Sequence, residues 1–307
     1  MPDLTVRLGG LHFKNPIIGA SGTFGFGQEL EGYLNLDLLG GLVTKGLSLE
    51  PRPGGPAPRI CEVVGGMLNA IGLANPGLKI FLKEKLPFLQ KLAQKGCVII
   101  VNLYGESEQE FIALAEQLSD QSGISVLEIN LSCPNVSDGG MAFGVSPKAV
   151  EHMTGAVRRA TKLPIWVKLT PNVTDITEIA KAAAFAGADG VSLINTLLGI
   201  AIDPQTRKPR LGNITGGLSG PGIKPIALRM VFQVARAVNI PVIGLGGITQ
   251  GQDVAEFMIA GSHLVQVGTA NLIDPSACNR ILKEFIDFCK TNKIDMVSDL
   301  TNSLEIK

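Results

Sequence analysis

The chain has 307 residues, with 27 basic and 27 acidic side chains and therefore no formal net charge. Hydrophobic residues make up 45% and charged residues 18%, so a large core can form and disorder is not expected. The even charge balance gives no attraction to nucleic acid or to an anionic membrane surface, and we expect neither as a partner.

The cysteines and the apolar stretches indicate where in the cell the protein is located and whether the chain binds a metal. None of the five cysteines belongs to a CxxC pair, so we expect no zinc site, no iron–sulfur cluster and no other metal in this chain. An odd, scattered set of cysteines is typical of reduced thiols. The N-terminal segment lacks a signal-peptide pattern, and no apolar run reaches the ~18 residues of a membrane span. We therefore expect a cytoplasmic protein.

Eight short apolar segments predict eight β-strands. Several are continuously apolar, which is typical of parallel strands buried on both faces. The segments are 16–20, 41–45, 97–102, 126–130, 165–169, 190–194, 242–245 and 264–267.

Helical patterns separate most of these strands. Ser107 and Glu110 form a capping-box pattern before an apolar stripe at 111, 114, 115 and 118. Asp175 begins a second helix that Gly187 ends, and Gly261 ends a third over about 254–258. Strand–helix alternation repeated eight times predicts an α/β protein with a single domain over residues 1–307, a (β/α)8 TIM barrel. An open doubly wound sheet is the structural alternative.

Three long segments rich in Gly, Pro and Asn follow predicted strands, at 46–76, 132–147 and 203–222. We expect them to be irregular loops. Long loops in compact domains are usually functional, and these would open on the carboxyl-terminal face, where barrel enzymes keep their active sites.

The last two strands predict a phosphate site. Gly246 and Gly247 follow the seventh strand, and Gly268 and Thr269 follow the eighth. Small residues there allow backbone N–H groups to approach an anion, helped by a nearby helix N-terminus. The alternative is that the glycines only serve tight turns.

Two lysines, Lys45 and Lys168, end predicted strands. A solvated surface lysine is the usual interpretation, but an ammonium after an apolar strand is rarely placed without an anionic partner. Cys133 follows the fourth strand in the polar loop EINLSCPNV, where a thiol is able to accept a proton.

The other cysteines, the asparagines and the histidines differ in how strongly they indicate a site. We interpret the other four cysteines as small buried hydrophobic residues; they are Cys61, Cys97, Cys278 and Cys289. Asparagines that recur on the same face suit a planar heterocycle with amide-like edges; they are Asn69, Asn102, Asn130, Asn135, Asn172 and Asn195. For Asn172 we favour a turn role, and the three histidines stay outside the site. No GxGxxG turn is present, so direct nicotinamide binding by this chain is not indicated.

Taken together, these motifs resemble the dihydroorotate dehydrogenases, and the resemblance runs along nearly the whole chain. The segments that carry it are, in order, NPIIGASGTFGFG, GLVTKG, GMLNAIGLANPG, EINLSCPNV, WVKLTPNVTDI, INTLLG, GGLSGPGIKP, GLGGI and VGTAN. A cysteine in NLSCPN is similar to class 1 of the family, and GTFGFG, MLNAIGLANPG, DGGMAFG and NITGGLSGPGIKP are similar to its 1B branch.

The resemblance implies an activity and a division of labour between two subunits. It implies oxidation of (S)-dihydroorotate to orotate in pyrimidine (UMP) biosynthesis, with FMN as the hydride acceptor. In the 1B branch a second subunit carries FAD and a [2Fe–2S] cluster and passes electrons to NAD, and the two assemble as a heterotetramer of two catalytic and two electron-transfer subunits.

The resemblance also implies residue roles. Cys133 would be the general base. The substrate set implied is Lys45, Asn69, Ile71, Gly72, Leu73, Asn130, Asn135, Asn195 and Thr196. The FMN set implied is Ala20, Ser21, Lys45, Gly46, Asn102, Asn130, Lys168, Ile194, Gly220, Gly246, Gly247, Gly268 and Thr269.

Three other interpretations remain open from the sequence. One is a 1A-like homodimer that is reoxidised by fumarate. Another is a phosphate-binding barrel isomerase or synthase without flavin. The last is a barrel that binds a ligand without catalysis, which Cys133 and the two strand-end lysines disfavour.

Overall fold

The computed structural model describes residues 1–131 and 143–306. Its centre is a closed barrel of eight parallel strands. The barrel strands are β1 (Ile17–Gly19), β2 (Gly41–Val43), β3 (Val98–Leu103), β4 (Val126–Asn130), β5 (Ile165–Lys168), β6 (Gly190–Leu193), β7 (Val242–Leu245) and β8 (Leu264–Val267). They pair in chain order, and β8 closes the barrel by pairing with β1. The (β/α)8 prediction is confirmed, and the open doubly wound sheet is excluded.

Helices cover the outside of the barrel. They are α1 (Leu86–Gln94), α2 (Glu108–Ser119), α3 (Pro147–Ala160), α4 (Ile176–Phe185), α5 (Lys224–Ala235), α6 (Gly251–Ala260) and α7 (Ala277–Thr291). Shorter helical pieces are Leu78–Ile80, a π turn at Phe81–Lys85 that leads into α1, and Ala270–Ile273 after β8. Short 3₁₀ turns are Gln28–Leu30, Leu36–Leu38, Phe143–Val145, Pro221–Ile223 and Val297–Leu300. Over the described ranges no helix is long and apolar enough to cross a membrane.

The first connection departs from the predicted eightfold alternation. Between β1 and β2 the chain makes only the two 3₁₀ turns Gln28–Leu30 and Leu36–Leu38 instead of an α-helix. Glycines at 22, 25, 27 and 32 all adopt positive φ there, and such a segment cannot propagate a helix.

The predicted helix ends agree with the observed caps. Ser107 Oγ accepts from Glu110 N at the start of α2, although the Glu110 carboxylate accepts from Glu106 N and so completes only half of the capping box. Asp175 caps α4, and Gly261, with φ of 126°, ends α6.

The loop prediction was wrong in part, because two of the three segments contain strands. A four-stranded antiparallel sheet joins Leu197–Gly199, Gly216–Ser219, Gly66–Asn69 and Ile60–Val63 in that order. Two short pairs complete the strands, Val6–Leu8 with Leu11–Phe13 and Ile202–Asp203 with Lys208–Pro209. The segments GMLN and GGLS have little β propensity of their own. They form strands because they pair with each other, although they lie in loops that are far apart in the sequence.

Candidate active site

A cavity of about 810 Å³ opens at the carboxyl ends of the barrel strands, beside the four-stranded sheet. Its size falls in the usual range for small-molecule and cofactor sites. Every described residue of both predicted sets lines it. The lining members are Ala20, Ser21, Lys45, Gly46, Asn69, Ile71, Gly72, Leu73, Asn102, Asn130, Lys168, Ile194, Asn195, Thr196, Gly220, Gly246, Gly247, Gly268 and Thr269. Cys133 and Asn135 lie outside the described residues.

Lys168 is the buried cation of the cavity. It ends β5, is 4% exposed, and its Nζ donates to Ser21 Oγ at 2.8 Å. Burial lowers the pKa of the Lys168 ammonium, and the negative charge of Glu128 opposes that shift. Because a buried ammonium is costly without an anion, this position favours a negatively charged or electron-rich ligand.

Lys45 follows β2 and occupies a more open position. It is partly exposed, and its backbone N–H donates to Gly25 O at 2.7 Å. Burial lowers its pKa, with Glu29 acting in the opposite direction. The interpretation of both lysines as ordinary surface residues is therefore wrong for Lys168 and only partly right for Lys45.

A buried polar network lies beneath the cavity. The Glu128 carboxylate accepts from Asn102 Nδ2 at 2.8 Å, from Ser192 Oγ at 2.7 Å and from Gln266 Nε2 at 2.8 Å. All four side chains are fully buried, and they come from four strands, β3, β4, β6 and β8. Asn102 and Gln266 line the cavity. Over residues 1–131 and 143–306, Asn102 Oδ1 and Gln266 Oε1 have no hydrogen-bond partner.

Sequence reasoning missed Glu128 and Gln266. The available signal was a charged or amide side chain in the middle of a buried strand, in LEIN and LVQV. Such a residue is seldom tolerated unless its polar atoms are satisfied, so it indicates an internal network.

The two glycine turns after β7 and β8 differ in whether the protein itself requires glycine there. Gly246 and Gly247 have φ of 124° and 82°, which only glycine adopts readily. A Cβ at Gly247 would lie 2.9 Å from the Lys224 backbone nitrogen. At Gly268 the nearest atom to a Cβ is Ala20 Cβ at 3.6 Å, so protein packing does not demand glycine there.

The N-terminus of α6, the helix that follows the first glycine turn, is only partly open to an anion. At the start of α6 the Asp253 carboxylate accepts from Thr249 N at 2.7 Å and Gln250 N at 3.0 Å, and Glu284 accepts from Gly251 N. These amides already serve protein carboxylates. The two glycine turns are therefore the better anion site.

The antiparallel sheet carries the other wall of the cavity. Asn69 pairs with Gly217 across the sheet, and its Nδ2 donates to Gly217 O at 3.3 Å. Gly72 has φ of 70°, and a Cβ there would collide with the Gly55 backbone nitrogen. Leu73 has φ of 56°, a conformation that side chains seldom adopt. The turn at residues 71–73, which lines the cavity, therefore has a sparsely populated backbone conformation with two consecutive positive φ angles.

Asparagines hold the loop after β6. Asn195 Oδ1 accepts from Thr196 N at 2.8 Å. Asn172 also lines the cavity, but its side chain donates to Thr196 O at 3.0 Å and accepts from Leu198 N at 2.9 Å. These bonds agree with the structural role favoured for Asn172.

The described cysteines lie away from the cavity. Cys97, Cys278 and Cys289 are buried, as predicted, whereas Cys61 is partly exposed on the strand Ile60–Val63, so the prediction was wrong there. Cys61 belongs to an antiparallel strand with one open face, which the sequence did not reveal.

These residues suit a phosphate-bearing planar ring. The glycine turns fit a phosphate, the Lys168 ammonium fits an electron-rich ring edge, and the two unpartnered amide oxygens fit ring N–H groups. Fold and site together define a (β/α)8-barrel enzyme with a cofactor-sized, anion-binding cavity.

Comparison with known proteins identifies the family. The dihydroorotate dehydrogenase family model matches residues 3–289. The chain is 53% identical over 305 residues to a protein of Geobacter sulfurreducens and 53% identical over 304 residues to one of Pelobacter propionicus. It is 51% identical over 305 residues to one of Citrifermentans bemidjiense, and each comparison covers 99% of both chains. All three relatives are named dihydroorotate dehydrogenase B (NAD(+)), catalytic subunit. The chain belongs to the dihydroorotate dehydrogenase family.

Proposed function

We propose that this chain oxidises (S)-dihydroorotate to orotate in pyrimidine biosynthesis, as the catalytic subunit of an NAD-linked dihydroorotate dehydrogenase. The observation that carries the proposal is the convergence of the buried Lys168 ammonium, two glycine turns and the Asn69–Leu73 wall on one cavity. The names of the relatives, over 99% of the chain, support the same activity and the NAD-linked branch.

The whole chain would act as one FMN-binding domain. When bound, FMN supplies the acceptor for the hydride that leaves C6 of dihydroorotate. The turns at Gly246–Gly247 and Gly268–Thr269 would hold its phosphate through backbone N–H groups. Lys168, with Ser21 orienting its ammonium, would stabilise negative charge on the ring edge next to it.

The substrate would lie between the ring and the antiparallel sheet. Lys45 would pair with the substrate carboxylate. The amides of Asn69, Asn130 and Asn195 would bind the donor and acceptor edges of the pyrimidine. The Gly72 turn would bring backbone groups of Ile71 and Leu73 to the same ligand.

Cys133 would remove the proton from C5, a role carried over from the family motif NLSCPN. The thiol must be ionised to accept this proton, and a nearby ammonium would favour the thiolate. Removal of the C5 proton by the Cys133 sulfur, with FMN as the acceptor of the C6 hydride, would leave the C5–C6 double bond of orotate. Asn135 would help to hold the substrate beside it.

A second subunit with FAD and a [2Fe–2S] cluster would carry the electrons to NAD, in a complex of two catalytic and two electron-transfer subunits. The word subunit in the names of the relatives supports a partner. The described cysteines form no disulfide, which fits a cytoplasmic address. No observation favours the fumarate-linked homodimer, the non-flavin isomerase or synthase, or the non-catalytic barrel.

Anaerobic titration of the FMN-loaded chain with dihydroorotate tests the proposal. The visible flavin absorbance should bleach stoichiometrically and return when an electron acceptor is added. Orotate in place of dihydroorotate should perturb the spectrum without bleaching it. A flavin-loaded chain that dihydroorotate does not bleach would refute the reaction, and rapid turnover of the single chain with fumarate would favour the homodimer.

A further inference from the structure

Glu128 is a carboxylate in the centre of the barrel that does not line the cavity. It lies on β4, is 0% exposed, and its two oxygens receive three hydrogen bonds from side chains on β3, β6 and β8. A buried carboxylate is tolerated where donors surround it, and this one has three within 2.8 Å. An apolar residue of similar volume is often at least as stable as a buried charge, so burial alone does not account for a carboxylate at this position.

The Glu128 carboxylate determines the orientation of the side-chain amides that contact it. An ionised carboxylate only accepts hydrogen bonds, so an amide side chain must present its NH₂ group to it. Asn102 and Gln266 both do so, at 2.8 Å each. The oxygen of each amide is thereby directed away from Glu128. A neutral residue at position 128 would not impose this orientation.

The two amide oxygens are the acceptors that this orientation leaves available. Asn102 and Gln266 line the cavity, and within the described part of the chain neither amide oxygen has a hydrogen-bond partner. Gly46 leaves space beside the first of them, because a Cβ at Gly46 would lie 3.1 Å from Asn102 Oδ1. A buried acceptor without a partner is costly, which indicates a ligand that donates.

We propose that Glu128 is a positioning residue that holds Asn102 and Gln266 as hydrogen-bond acceptors for the ring N–H edge of FMN. The proposal rests on the proposed function, since it assumes that FMN is the ligand of the cavity. A second effect follows from charge. Glu128 is the anion that opposes the loss of the Lys168 proton on burial, so it also helps to keep the cation of the cavity charged.

The test compares Glu128→Gln with Ser192→Ala in the full chain. Glutamine keeps the size of the side chain but offers a single acceptor oxygen, so the two amides are no longer both held with their oxygens outward. Ser192→Ala removes one hydrogen bond from Glu128 at a residue that does not line the cavity, and it leaves both amides in place. Thermal unfolding of the FMN-free proteins reports whether each variant folds.

The readouts are FMN affinity and the resonances of bound, ¹⁵N-labelled FMN. In Glu128→Gln we expect the FMN dissociation constant to rise ~10-fold, about 1.4 kcal/mol. The ring N3–H resonance should move towards its weakly hydrogen-bonded position, while the ³¹P resonance of the phosphate stays unchanged. For Ser192→Ala the dissociation constant should stay within about threefold of the parent value.

Gln266→Met provides a second variant if Glu128→Gln does not fold. It removes one acceptor, keeps Glu128 and should move the N3–H resonance in the same direction. Unchanged N3–H resonances in the variants that fold, or equal weakening by Ser192→Ala, would overturn the positioning role. A parent chain that binds no FMN would instead refute the proposed function.

Discussion

The Nζ atom of Lys168 lies 2.8 Å from the Oγ atom of Ser21, although the two residues are 147 positions apart in the chain. Lys168 ends β5, and Ser21 begins the connection after β1, so the bond spans the mouth of the barrel. The hydroxyl keeps the buried ammonium directed at the cavity. The first two predictions follow from this cation.

Lys168→Met should slow reduction of bound FMN by dihydroorotate by ~10²-fold or more, because a charge beside the developing anion is lost. The midpoint potential of the flavin should fall for the same reason. Lys181→Met is the control, since Lys181 is exposed and forms an ion pair with Glu178 on the same helix. Anaerobic stopped-flow absorbance and potentiometry measure both quantities. An unchanged potential in Lys168→Met would contradict the placement of this cation next to the ring.

The stability of the FMN-free chain should depend on pH through Lys168. Burial lowers the pKa of this group below its ordinary value of 10.5, so the folded chain releases the proton at a lower pH than the unfolded chain. Between the two pKa values the unfolded state binds more protons, and the free energy of unfolding therefore rises with pH. Lys168→Met should lose this rise in the alkaline range below 10.5. Denaturant titrations at several pH values measure it, and identical slopes for both proteins would count against a buried ammonium.

Gly268→Ala and Gly247→Ala should separate ligand contact from folding. Among the described residues, a methyl group at Gly268 would meet Ala20 and Thr23 at ordinary distances, so stability should change by less than ~0.5 kcal/mol. FMN affinity should nevertheless fall ~10-fold if the phosphate approaches this backbone. Gly247→Ala should cost about 1–3 kcal/mol in the FMN-free chain, because φ is 82° and the methyl group meets Lys224. If Gly268→Ala binds FMN normally, the phosphate is not bound at this turn.

Cys133→Ala should retain FMN and bind orotate but lose about 10²–10⁴-fold in the rate of flavin reduction, the range of a lost general base. Cys278→Ala is the matched control. Cys278 is fully buried away from the cavity, and burial raises the pKa of its thiol to about 12, so it is not available as a thiolate. Stopped-flow reduction measures both variants. Equal losses would mean that the thiol chemistry has been assigned to the wrong residue.

The barrel could be predicted from sequence because each of its strands is a short apolar run that is recognisable without knowledge of its partners. The runs VIIV and PIWV are continuously apolar, and apolar runs of this length are typical of parallel strands that are buried between helices. The antiparallel sheet could not be predicted in this way. Gly66–Asn69 and Gly216–Ser219 pair across about 150 positions of sequence, and neither segment has a strand pattern by itself.

The same contrast holds in the site. The position of Lys45 and Lys168 at the cavity could be predicted, because a charged residue at the end of an apolar strand stands out in the sequence. Glu128 was not chosen, because its role depends on donors from three other strands that only the closed barrel brings together. Family resemblance supplied Ile71, Gly72 and Leu73. They line the cavity in a turn with positive φ at Gly72 and Leu73, a backbone feature that side-chain chemistry does not predict.

The last prediction concerns the electron acceptor. Reduced FMN in the isolated chain should be reoxidised slowly by NAD, because the sequence has no GxGxxG turn to hold a nicotinamide dinucleotide against the flavin. The relatives are named as NAD-linked yet as catalytic subunits, which fits a route to NAD through a partner. Addition of an electron-transfer subunit with FAD and a [2Fe–2S] cluster should restore rapid NAD reduction. Stopped-flow reoxidation of the fully reduced chain by NAD, with and without that subunit, measures the difference. Fast reoxidation by NAD without a partner would contradict the two-subunit assignment and leave the oxidation of dihydroorotate unaffected.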